Sequence, residues 1–296
     1  MAYTLERGLI LGTGGSANIY RCRDMIGIRS ACKVIPKNKL TNEKFRSEVA
    51  CMKDLAFSPK VVQLYDVFET DEEYYIVMEW CRGGAIRDYT SNHILYSENT
   101  VSSFVRGCLR GLYHIHGSGI IHRDIKPGNI LLSDMSCDAE VKIADFGSAV
   151  RMTISNQMVE TEDTVGTPWY MSPESIIYKS HPKSDIWSLG VMTYQLLTGY
   201  MPFDDFTSVP PRLSQICNSI FNDEPKWTGK RWENISEEAR DFIQQCLQKD
   251  WQNRPYADEL LMHSWLQKTN CEDRFTGNPI ELRRINDRAL SYVRTI

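Results

Sequence analysis

Two short strings of polar residues lie close together near the middle of the chain. They are HRDIKPGN at residues 122–129 and DFG at residues 145–147. Transfer of a phosphoryl group requires a carboxylate beside the attacking hydroxyl and oxygen ligands for a magnesium ion. Asp124 offers that carboxylate, while Asn129 and Asp145 offer oxygen ligands in the order along the chain that this chemistry uses. Any one of these residues alone is more often a turn or cap residue, but together they predict phosphoryl transfer.

The two strings match H-R-D-x-x-x-x-N and D-F-G, and on these motifs the chain resembles a eukaryotic serine/threonine protein kinase. By this resemblance Asp124 is the catalytic base or orients the substrate hydroxyl, and Lys126 steadies the transferring phosphoryl group. Asn129 and Asp145 are then the metal ligands. The resemblance implies ATP and Mg2+ as cofactors and a protein as the substrate. A pseudokinase, which is a kinase-shaped binding or scaffold module, is the alternative, and its usual mark is the loss of one of these groups.

A glycine-rich string, GTGGSANI at residues 12–19, precedes these motifs. It stands in the place of the kinase string G-x-G-x-x-G-x-V, with Ala17 for the third glycine and Ile19 for the valine. Such a string alone is often only a turn. The residues after it favour a strand and not a helix, which argues against a dinucleotide-binding motif. Ala17 is small, so the backbone can still approach a phosphate closely.

A lysine follows in the next predicted strand, where Ala31-Cys32-Lys33 matches the V-A-I-K motif. By resemblance Lys33 is a catalytic residue that contacts the α- and β-phosphates of ATP. Its expected partner lies on the following helix. Glu48 is favoured because it borders the apolar stripe of that helix, and Glu43 is the second choice. The simpler interpretation of either acid is a solvated charge.

The resemblance also identifies the residues expected around ATP. Met78 matches the gatekeeper at the back of the adenine pocket, and the backbone of Glu79 and Cys81 is expected to bind adenine. The complete set expected to bind the nucleotide is Leu11, Gly12, Gly14, Ile19, Ala31, Lys33, Glu48, Met78, Glu79, Cys81 and Leu131. The hydrophobic stack that links the lobes of active kinases is matched by Met52, Leu64, His122 and Phe146.

The segment TVGTPWYMSPE at residues 164–174 resembles the end of a kinase activation segment, with S-P-E in place of A-P-E. Thr167 at its place again looks like a serine/threonine kinase. By resemblance Glu174 forms a buried ion pair with Arg254, and Asp185 braces the backbone of the catalytic loop. These last three residues are therefore expected to be structural.

Two further expectations concern regulation and substrate choice. In many kinases the arginine at the position of Arg123 binds a phosphate on the activation segment. In this chain Asp163 stands where many kinases carry the phosphothreonine. A carboxylate there predicts substantial activity without phosphorylation of the segment. Kinases that select Arg three residues before the acceptor carry acids at the positions of Ala85 and Gly128, so weak selection for Arg is expected. The acids that remain candidates to compensate are Asp88, Asp204 and Asp205.

Length and composition limit the other classes of function. The chain has 296 residues, a formal net charge of -4 and 42% hydrophobic residues, enough for one large or two small cores. Its mild acidity argues against nucleic acid as the main partner. No run approaches the ~18 consecutive apolar residues of a membrane span. The nine cysteines are scattered without a C-x-x-C pair, which indicates reduced thiols and a cytoplasmic protein, while the oligomeric state stays open.

Apolar patterns predict the elements that must position these residues. Strands are expected within 7–35, at 61–68 and at 74–79, with one amphipathic helix at 43–56 between them. Gly83-Gly84 suggests a linker. Helices are expected after it at 101–116, 184–198, 212–221 and 236–248. The predicted fold class is α+β, a two-lobe protein kinase fold with a β-rich N-lobe that has one main helix and a mostly helical C-lobe.

The resemblance places a protein kinase domain at residues 1–268, with the N-lobe at about 1–80, the hinge at about 79–84 and the C-lobe at about 85–268. Residues 269–296 form a C-terminal extension with a basic amphipathic pattern. Two interpretations of it remain open: a regulatory helix that blocks the site or binds a calcium sensor, and a helix docked on the C-lobe.

Within the kinases, the string LTGYMPF at 197–203 and the closing HSWL at 263–266 look like the calcium/calmodulin-dependent and calcium-dependent groups. A calcium-binding loop of the form D-x-[DN]-x-[DN]-G does not occur in the sequence. Any calcium sensor is therefore expected outside this chain.

Overall fold

The computed structural model describes residues 3–90, 96–136, 138–152, 157–162, 165–203 and 211–267. Some sequence predictions fall on other residues. The acids Asp163, Asp204 and Asp205 and the C-terminal extension at 269–296 lie outside the described residues. Within the described ranges, no helix combines the length and the apolar character needed to cross a bilayer.

The amino-terminal part is a five-stranded antiparallel sheet. Its strands are β1 (Tyr3–Thr13), β2 (Asn18–Asp24), β3 (Arg29–Pro36), β4 (Leu64–Glu69) and β5 (Glu73–Met78). The strand order is β1-β2-β3-β5-β4, so β3 has a hydrogen-bonded partner on each side. Lys33 lies on β3 opposite Ile19 of β2 and Ile76 of β5. The sheet therefore holds Lys33 in a central strand, where its backbone is fixed on both sides.

One helix, α1 (Asn42–Asp54), follows β3 and is the only long helix described before the hinge. It begins after Thr41, whose hydroxyl accepts a hydrogen bond from the Lys44 backbone nitrogen at 3.3 Å. Such a cap satisfies one of the free N–H groups of the first turn. The buried residues of α1 are Glu48, Val49, Cys51 and Met52, so one acid points into the protein with the apolar stripe.

The carboxyl-terminal part is mostly helical. Its helices are α2 (Ile86–Thr90), α3 (Glu98–Gly117), α4 (Pro173–Ile176), α5 (Pro182–Thr198), α6 (Leu213–Asn222), α7 (Glu237–Cys246), α8 (Ala257–Leu261) and α9 (Ser264–Gln267). Helix α5 is central, since every residue in it except Gln195 is buried and it packs on α3 and α7. A Cβ added at Gly190 would lie 2.5 Å from Cβ of Cys246, so this glycine lets α5 and α7 approach closely.

Short strands hold the loops between these helices. They are β6 (Gly84–Ala85), β7 (Ile120–Ile121), β8 (Ile130–Leu132), β9 (Val141–Ile143), β10 (Val150–Arg151), β11 (Val159–Glu160) and β12 (Lys179–Ser180). They form one three-stranded sheet, β6-β8-β9, and the pairs β7–β10 and β11–β12. Residues 122–129 lie between β7 and β8, and residues 144–149 lie between β9 and β10. Because β7 pairs with β10 and β8 pairs with β9, both predicted catalytic strings are held at their ends.

A single buried cluster of hydrophobic side chains runs through both parts and connects them. Met52 of α1 and Phe146 of the D-F-G string are both in it, and Leu64 packs against it. The rings of His122 and Phe146 meet edge to face with centroids 5.0 Å apart. The four residues predicted for the inter-lobe stack therefore lie in or against one core.

The predicted α+β arrangement, with a β-rich first lobe and a helical second lobe, is confirmed. One local prediction is wrong. The strand expected at 61–68 begins only at Leu64, because Val61 instead forms an isolated bridge with Ile143 of β9. The Gly83-Gly84 pair lies between the β-rich part and the first helix of the helical part. A Cβ on Gly83 would lie 2.3 Å from the backbone oxygen of Asp134, so this segment is packed against the second lobe.

Candidate active site

Three elements meet at the ammonium group of Lys33. Its Nζ atom lies 2.6 Å from Oε1 of Glu48 on α1 and 2.7 Å from Oδ1 of Asp145 in the D-F-G string. The side chain of Lys33 is 11% exposed and that of Glu48 is 3% exposed. The predicted Lys33–Glu48 ion pair is therefore present. Glu43, the second choice, is exposed in the first turn of α1.

The charges of this cluster depend on one another. Burial opposes the charge of Lys33, but Glu48 and then Asp145 raise its pKa, so the amine stays protonated. Burial also opposes ionisation of Asp145, yet the charge of Lys33 lowers its pKa to about 2. Burial raises the pKa of Glu48, against the effect of Lys33. Asp145 is therefore ionised at neutral pH, and its carboxylate is a hard oxygen donor of the kind that a divalent cation binds.

The backbone of the D-F-G string has an unusual conformation. Asp145 has a φ of 66°, in the left-handed region that few residues other than Gly adopt. Its Oδ1 atom also accepts a hydrogen bond from the backbone nitrogen of Gly147 at 3.4 Å. The side chain of Asp145 is 46% exposed. It is therefore anchored at one oxygen while the group as a whole stays accessible.

The loop at residues 122–129, which contains the HRDIKPGN string, is fixed at its start by Asp185 of α5. Its two carboxylate oxygens accept hydrogen bonds from the backbone nitrogens of His122 at 2.9 Å and Arg123 at 2.8 Å. Nε2 of His116 lies 2.8 Å from the same carboxylate. Arg123 has a φ of 67°, and its Nε donates to the Ser148 backbone oxygen at 2.6 Å. The bracing predicted for Asp185 is confirmed, and it stabilises a backbone turn that is costly without support.

The carboxylate of Asp124 is the centre of a second polar cluster. Its Oδ1 accepts hydrogen bonds from the backbone nitrogen and the hydroxyl of Thr167, both at 3.1 Å. Its Oδ2 lies 2.9 Å from Nζ of Lys126 and accepts a hydrogen bond from Nδ2 of Asn129 at 2.9 Å. Lys126 also donates to the Thr167 hydroxyl at 2.7 Å. This cluster fixes the orientation of Asp124 from both sides.

The side chain of Asn129 is held against Asp124. Its Nδ2 atom donates to the backbone oxygen of Asp124 at 2.8 Å as well as to its carboxylate. An amide that uses its nitrogen in this way turns its oxygen toward another partner. Together with the carboxylate of Asp145, this provides hard oxygen donors of the kind that Mg2+ prefers. The residues present thus fit the metal that the resemblance implies.

The glycine-rich loop also fits a bound phosphate. Gly14 lies in the turn between β1 and β2, and its nitrogen donates to the Ala17 backbone oxygen at 2.9 Å. A Cβ added at Gly12 or Gly14 would meet no atom closer than 3.5 Å, and one at Gly15 would meet nothing within 4 Å. Packing inside the protein therefore does not require glycine at these positions. Their small size leaves room for a ligand to approach the backbone.

The remaining residues predicted to contact the nucleotide are distributed over the strands around this loop. Leu11 is on β1, Ala31 on β3, Met78 at the end of β5, and Leu131 on β8. Met78 pairs with Ala31 and with Leu64 across the sheet and is buried. Burial raises the pKa of the Cys81 thiol to about 12, so this cysteine is an unreactive neutral group at neutral pH.

The hinge is tied to both lobes by contacts that the sequence did not indicate. The backbone nitrogen of Glu79 donates to the oxygen of Gln63 at 2.9 Å, and its carboxylate accepts from the Gln63 nitrogen at 3.2 Å. The same carboxylate lies 2.8 Å from Nζ of Lys142 on β9. The only signal was a lysine inside the short apolar run Val141-Lys142-Ile143. A buried lysine needs an acidic partner, but its identity does not follow from the sequence.

A third charged cluster lies away from these groups, below the activation segment. Arg254 donates from Nη1 to Oε1 of Glu174 at 2.6 Å and from Nη2 to Oε2 at 2.8 Å, a bidentate pair. Its other donors reach the backbone oxygens of Gln248, Lys183 and Lys249. The predicted pair is therefore present.

Comparison with known proteins agrees with this geometry. The family described as "Protein kinase domain" matches residues 5–266. The chain is 35% identical over 260 residues to "Calcium-dependent protein kinase 3" of Plasmodium berghei (strain Anka), an alignment that covers 87% of this chain and 46% of that protein. It is 31% identical over 299 residues to "Calcium-dependent protein kinase 12" of Oryza sativa subsp. japonica, covering 99% of this chain and 54% of that protein.

A third relative carries a different name. "Calcium/calmodulin-dependent serine/threonine-protein kinase 1" of Oryza sativa subsp. japonica is 34% identical over 275 residues, covering 90% of this chain and 44% of that protein. The chain thus spans about half the length of the curated relatives it matches.

Proposed function

The chain belongs to the protein kinase family, and from that premise we propose that it transfers the γ-phosphoryl group of ATP to serine and threonine hydroxyls of proteins. The observation that carries the choice of hydroxyl is the contact among Asp124, Lys126 and Thr167, with Lys126 2.7 Å from the Thr167 hydroxyl. Lys126 and Thr167 are the residues on which the chain resembles the serine/threonine kinases, and here they contact each other and the proposed base.

Asp124 has the geometry for its proposed role. Its carboxylate is held by Thr167 and by Asn129, so little reorganisation is needed when a hydroxyl arrives. The hydroxyl oxygen forms a bond to the γ-phosphorus while the bond from that phosphorus to the β-phosphate oxygen breaks, and ADP leaves. The hydroxyl proton passes to Asp124. Lys126, which is 27% exposed, is placed to neutralise charge on the transferred group.

Protein kinases in general use ATP together with Mg2+, and bound Mg2+ neutralises the charge of the phosphates. In this chain we propose that Asn129 and Asp145 hold the ion. Asp145, ionised at neutral pH because Lys33 lowers its pKa to about 2, is ready for this role. Lys33 is kept protonated and positioned by Glu48, so it offers a fixed positive charge to phosphate oxygens.

The test is a transfer assay with ATP, Mg2+ and three peptides that differ only in the acceptor, Ser, Thr or Tyr. We expect phosphate on Ser and Thr and less than about 1% as much on Tyr, and a loss of at least ~1,000-fold in kcat for Asp124→Asn. The matched control is Asp71→Asn, an exposed acid in the turn before β5, which should keep wild-type turnover.

Two outcomes would contradict this proposal. Transfer to Tyr at a comparable rate would overturn the specificity. ATP binding without transfer to any hydroxyl would instead favour a pseudokinase-type binding module.

The names of these two relatives include calcium dependence. The match to this chain covers only about half of the length of each of those proteins. We propose that calcium sensing, where it acts on this kinase, comes from a sensor outside the chain and reaches it through residues 269–296. Deleting residues 272–296 is expected to raise basal activity. No change in activity, together with no binding of a calmodulin-type protein, would favour a simple docked helix.

A further inference from the structure

The turn between β2 and β3 exposes a run of apolar side chains. Met25 is 87% exposed, Ile26 is 82% exposed and Ile28 is 57% exposed. Gly27 stands between the two isoleucines, so the tip of this hairpin has no polar side chain. Single exposed apolar residues are common on protein surfaces, but a run of them within one turn is unfavourable in water. Such a run indicates a surface that another molecule covers.

Hydrogen bonds within the turn fix its shape. Oδ1 of Asp24 accepts hydrogen bonds from the backbone nitrogens of Ile26 at 3.0 Å and Ile28 at 2.8 Å. The nitrogen of Asp24 donates to the Ile28 oxygen at 3.0 Å. The nitrogen of Gly27, whose φ is 89°, donates to the Asp24 oxygen at 3.2 Å. The apolar side chains are therefore held outward by a closed, hydrogen-bonded turn.

These hydrogen bonds also make the tip suitable for an apolar phase. A backbone N–H group without a partner is costly to move out of water. In this turn the N–H groups of Ile26, Gly27 and Ile28 already have partners. Protein interfaces form about one hydrogen bond per 100–200 Å2 and are enriched in aromatic residues, whereas this tip presents neither. A partner that forms no hydrogen bonds, such as the acyl chains of a bilayer, therefore fits the tip better than a protein pocket.

Arginines lie at the base of the same turn. Arg23 of β2 stands directly opposite Arg29 of β3, and such a pair of like charges is destabilising by itself. Nε of Arg23 lies 2.6 Å from Oε1 of Glu6, but Glu6 also pairs with Arg21. Arg29 is exposed and has no ion-pair partner among the residues that the structure describes.

The charges at the base therefore do not balance. Residues 21–29 together with Glu6 contain three arginines and two acids, so a positive charge is left over. A guanidinium binds phosphate oxygens well, and the headgroups of anionic lipids provide them. An apolar tip above a positively charged base has the same order of groups as the outer layer of an anionic bilayer, in which acyl chains lie below phosphates.

We propose that the turn between β2 and β3 is a membrane contact, which inserts Met25, Ile26 and Ile28 among the lipids of an anionic bilayer surface. The guanidinium of Arg29 then lies at the level of the lipid phosphates, while the stem of its side chain lies along apolar groups. Three apolar side chains and one unpaired charge give weak and reversible binding, as a single acyl chain does. The contact positions the protein on a membrane without anchoring it permanently.

This contact leaves the candidate active site free. Strand β2 runs from Asn18, next to the glycine-rich loop, to Asp24 at the turn, and it has seven residues. Such a strand spans about 20 Å, so the turn lies at the far end of the hairpin from the loop that is expected to bind phosphate. A bilayer bound at the turn therefore does not cover the glycine-rich loop.

The test measures binding of the full chain to sucrose-loaded vesicles that are collected by centrifugation. The vesicles consist of phosphatidylcholine alone or of phosphatidylcholine mixed with phosphatidylserine. For the wild type we expect about fivefold tighter binding to the mixed vesicles, since one basic residue near an anionic surface contributes about that factor. Salt at about 1 M should remove this difference and leave the weaker apolar binding.

Variants assign the binding to the turn. Met25→Asp combined with Ile26→Asp should weaken binding to both kinds of vesicle by at least about tenfold. The control is Met262→Asp, directly after α8, where the methionine is 76% exposed and binding should not change. Ile26→Trp should tighten binding by about threefold, because tryptophan favours the bilayer interface.

A second pair of variants assigns the charge. Arg29→Ala should remove the preference for phosphatidylserine and leave binding to phosphatidylcholine unchanged. Its control is Arg110→Ala on the exposed face of α3, which should keep the preference. Thermal unfolding of every variant is measured beside the wild type, so that a loss of binding is compared only between folded proteins.

Three outcomes would overturn the proposal. The first is a wild type that binds neither kind of vesicle, in which case a protein pocket becomes the better candidate for the tip. The second is binding that survives the double Asp substitution, since another surface then contacts the bilayer. The third is an unchanged affinity of Ile26→Trp, a result that does not depend on the stability of the double variant. Peptide turnover is not measured here, so this inference stands or fails separately from the proposed function.

Discussion

Two buried ion pairs in this protein each join a basic side chain to a glutamate, but the two basic groups differ in their other contacts. In the pair of Arg254 and Glu174, the guanidinium makes five hydrogen bonds to Glu174 and to three backbone oxygens, and Ser184 donates to the acid as well. In the other pair, Lys33 is shared between Glu48 and Asp145. All five N–H donors of the Arg254 guanidinium are thus used within the protein, which makes the first pair saturated. The second cluster has one basic group for two acids.

The difference matches a structural role for the first pair and the proposed catalytic role for the second. A saturated pair holds its two segments in one arrangement and offers nothing to a ligand, which suits the junction between α4 and the segment before α8. In the second pair the Asp145 carboxylate is partly exposed, so a cation and a phosphate can join the cluster there. The predictions below test this contrast, beginning with the largest effect.

The largest effect is expected at the cluster of Lys33. Lys33→Met and Asp145→Ala should each lower kcat/KM by at least ~1,000-fold, or about 4 kcal/mol of transition-state stabilisation. Asp145→Ala should stay folded because Lys33 keeps its pairing with Glu48. Lys33→Met leaves Glu48 buried without that partner, so a loss of stability is expected there and turnover is compared per folded molecule. Turnover and thermal unfolding are measured side by side, with Lys39→Met, an exposed lysine after β3, as the control. Undiminished turnover in Asp145→Ala would refute the assignment of the site.

The second effect concerns stability. Arg254→Met leaves the Glu174 carboxylate buried without its partner, which typically costs about 3–5 kcal/mol. For a domain of this size that lowers the Tm by roughly 6–20 °C. Turnover per folded molecule, measured well below the Tm, should stay within threefold of wild type. Arg110→Met is the control, and the double variant with Glu174→Leu should recover part of the loss, since it removes the orphaned charge.

If Arg254→Met instead kept wild-type stability and lost its turnover, the saturated pair would belong to the catalytic machinery. The contrast between the two clusters would then be lost.

The third effect is the response of the two acids to pH. Burial opposes ionisation of Glu174, but the hydrogen bonds and charge of Arg254 lower its pKa below that of the unfolded chain. Its contribution to stability is therefore full above the unfolded pKa, about 4.3, and is lost as pH falls through the folded pKa. Burial raises the pKa of Glu48, so its ionised form costs stability above the folded pKa, and this cost is relieved on acidification.

Urea unfolding from pH 7 to pH 3 should show these opposite signs. As pH falls, the wild type should lose its advantage in unfolding free energy over Glu174→Gln. Over the same range the unfolding free energy of the wild type should rise relative to that of Glu48→Gln. If both stability differences changed in the same direction with pH, the pKa values of the two acids would not be shifted in opposite directions, and this prediction would be wrong.

The smallest effect is expected at an ion pair on the surface. Nη1 of Arg151 on β10 lies 2.5 Å from Oδ2 of Asp54 at the end of α1, and the two side chains are 44% and 46% exposed. Such pairs contribute about 0–1 kcal/mol and are screened by salt. Arg151→Ala should therefore lower the free energy of unfolding by less than about 1 kcal/mol, and the difference should vanish in 1 M salt. A larger, salt-independent loss would put this pair with the buried ones.

Most of the architecture could be predicted from the sequence because local patterns determine it. Short runs of residues that favour strands mark β2 and β3, and the apolar stripe that contains Met52 marks α1. The positions proposed for the catalytic groups were taken from motifs and stay a prediction. The start of β4 was missed because Val61 takes its partner from β9, which lies 82 residues away in the chain as Ile143. A local pattern carries no information about such a partner.

Contacts between distant segments were the part that could not be predicted. The hydrogen bonds from Thr167 to Asp124 join residues 43 positions apart, and the ion pair of Lys142 and Glu79 joins β9 to the hinge without any shared motif. Arg87 belongs to none of the motifs in the sequence. The fold places its Nη1 atom 3.3 Å from the Cβ position of Gly128, where the sequence had indicated a missing acid.

The ties at the hinge have a mechanical consequence. Glu79 is anchored to Gln63 on one side and to Lys142 on the other, and the nitrogens of Arg82 and Gly83 are bonded to Ser133 and Leu132 of the second lobe. A rotation of one lobe against the other must therefore be taken up by the torsion angles of residues 80 and 81. Each lobe is long compared with this two-residue segment, so a small change in its torsion angles moves the far ends of the lobes by a large distance. A ligand hydrogen-bonded to the backbone there would restrict those torsion angles, and with them how far the cleft opens.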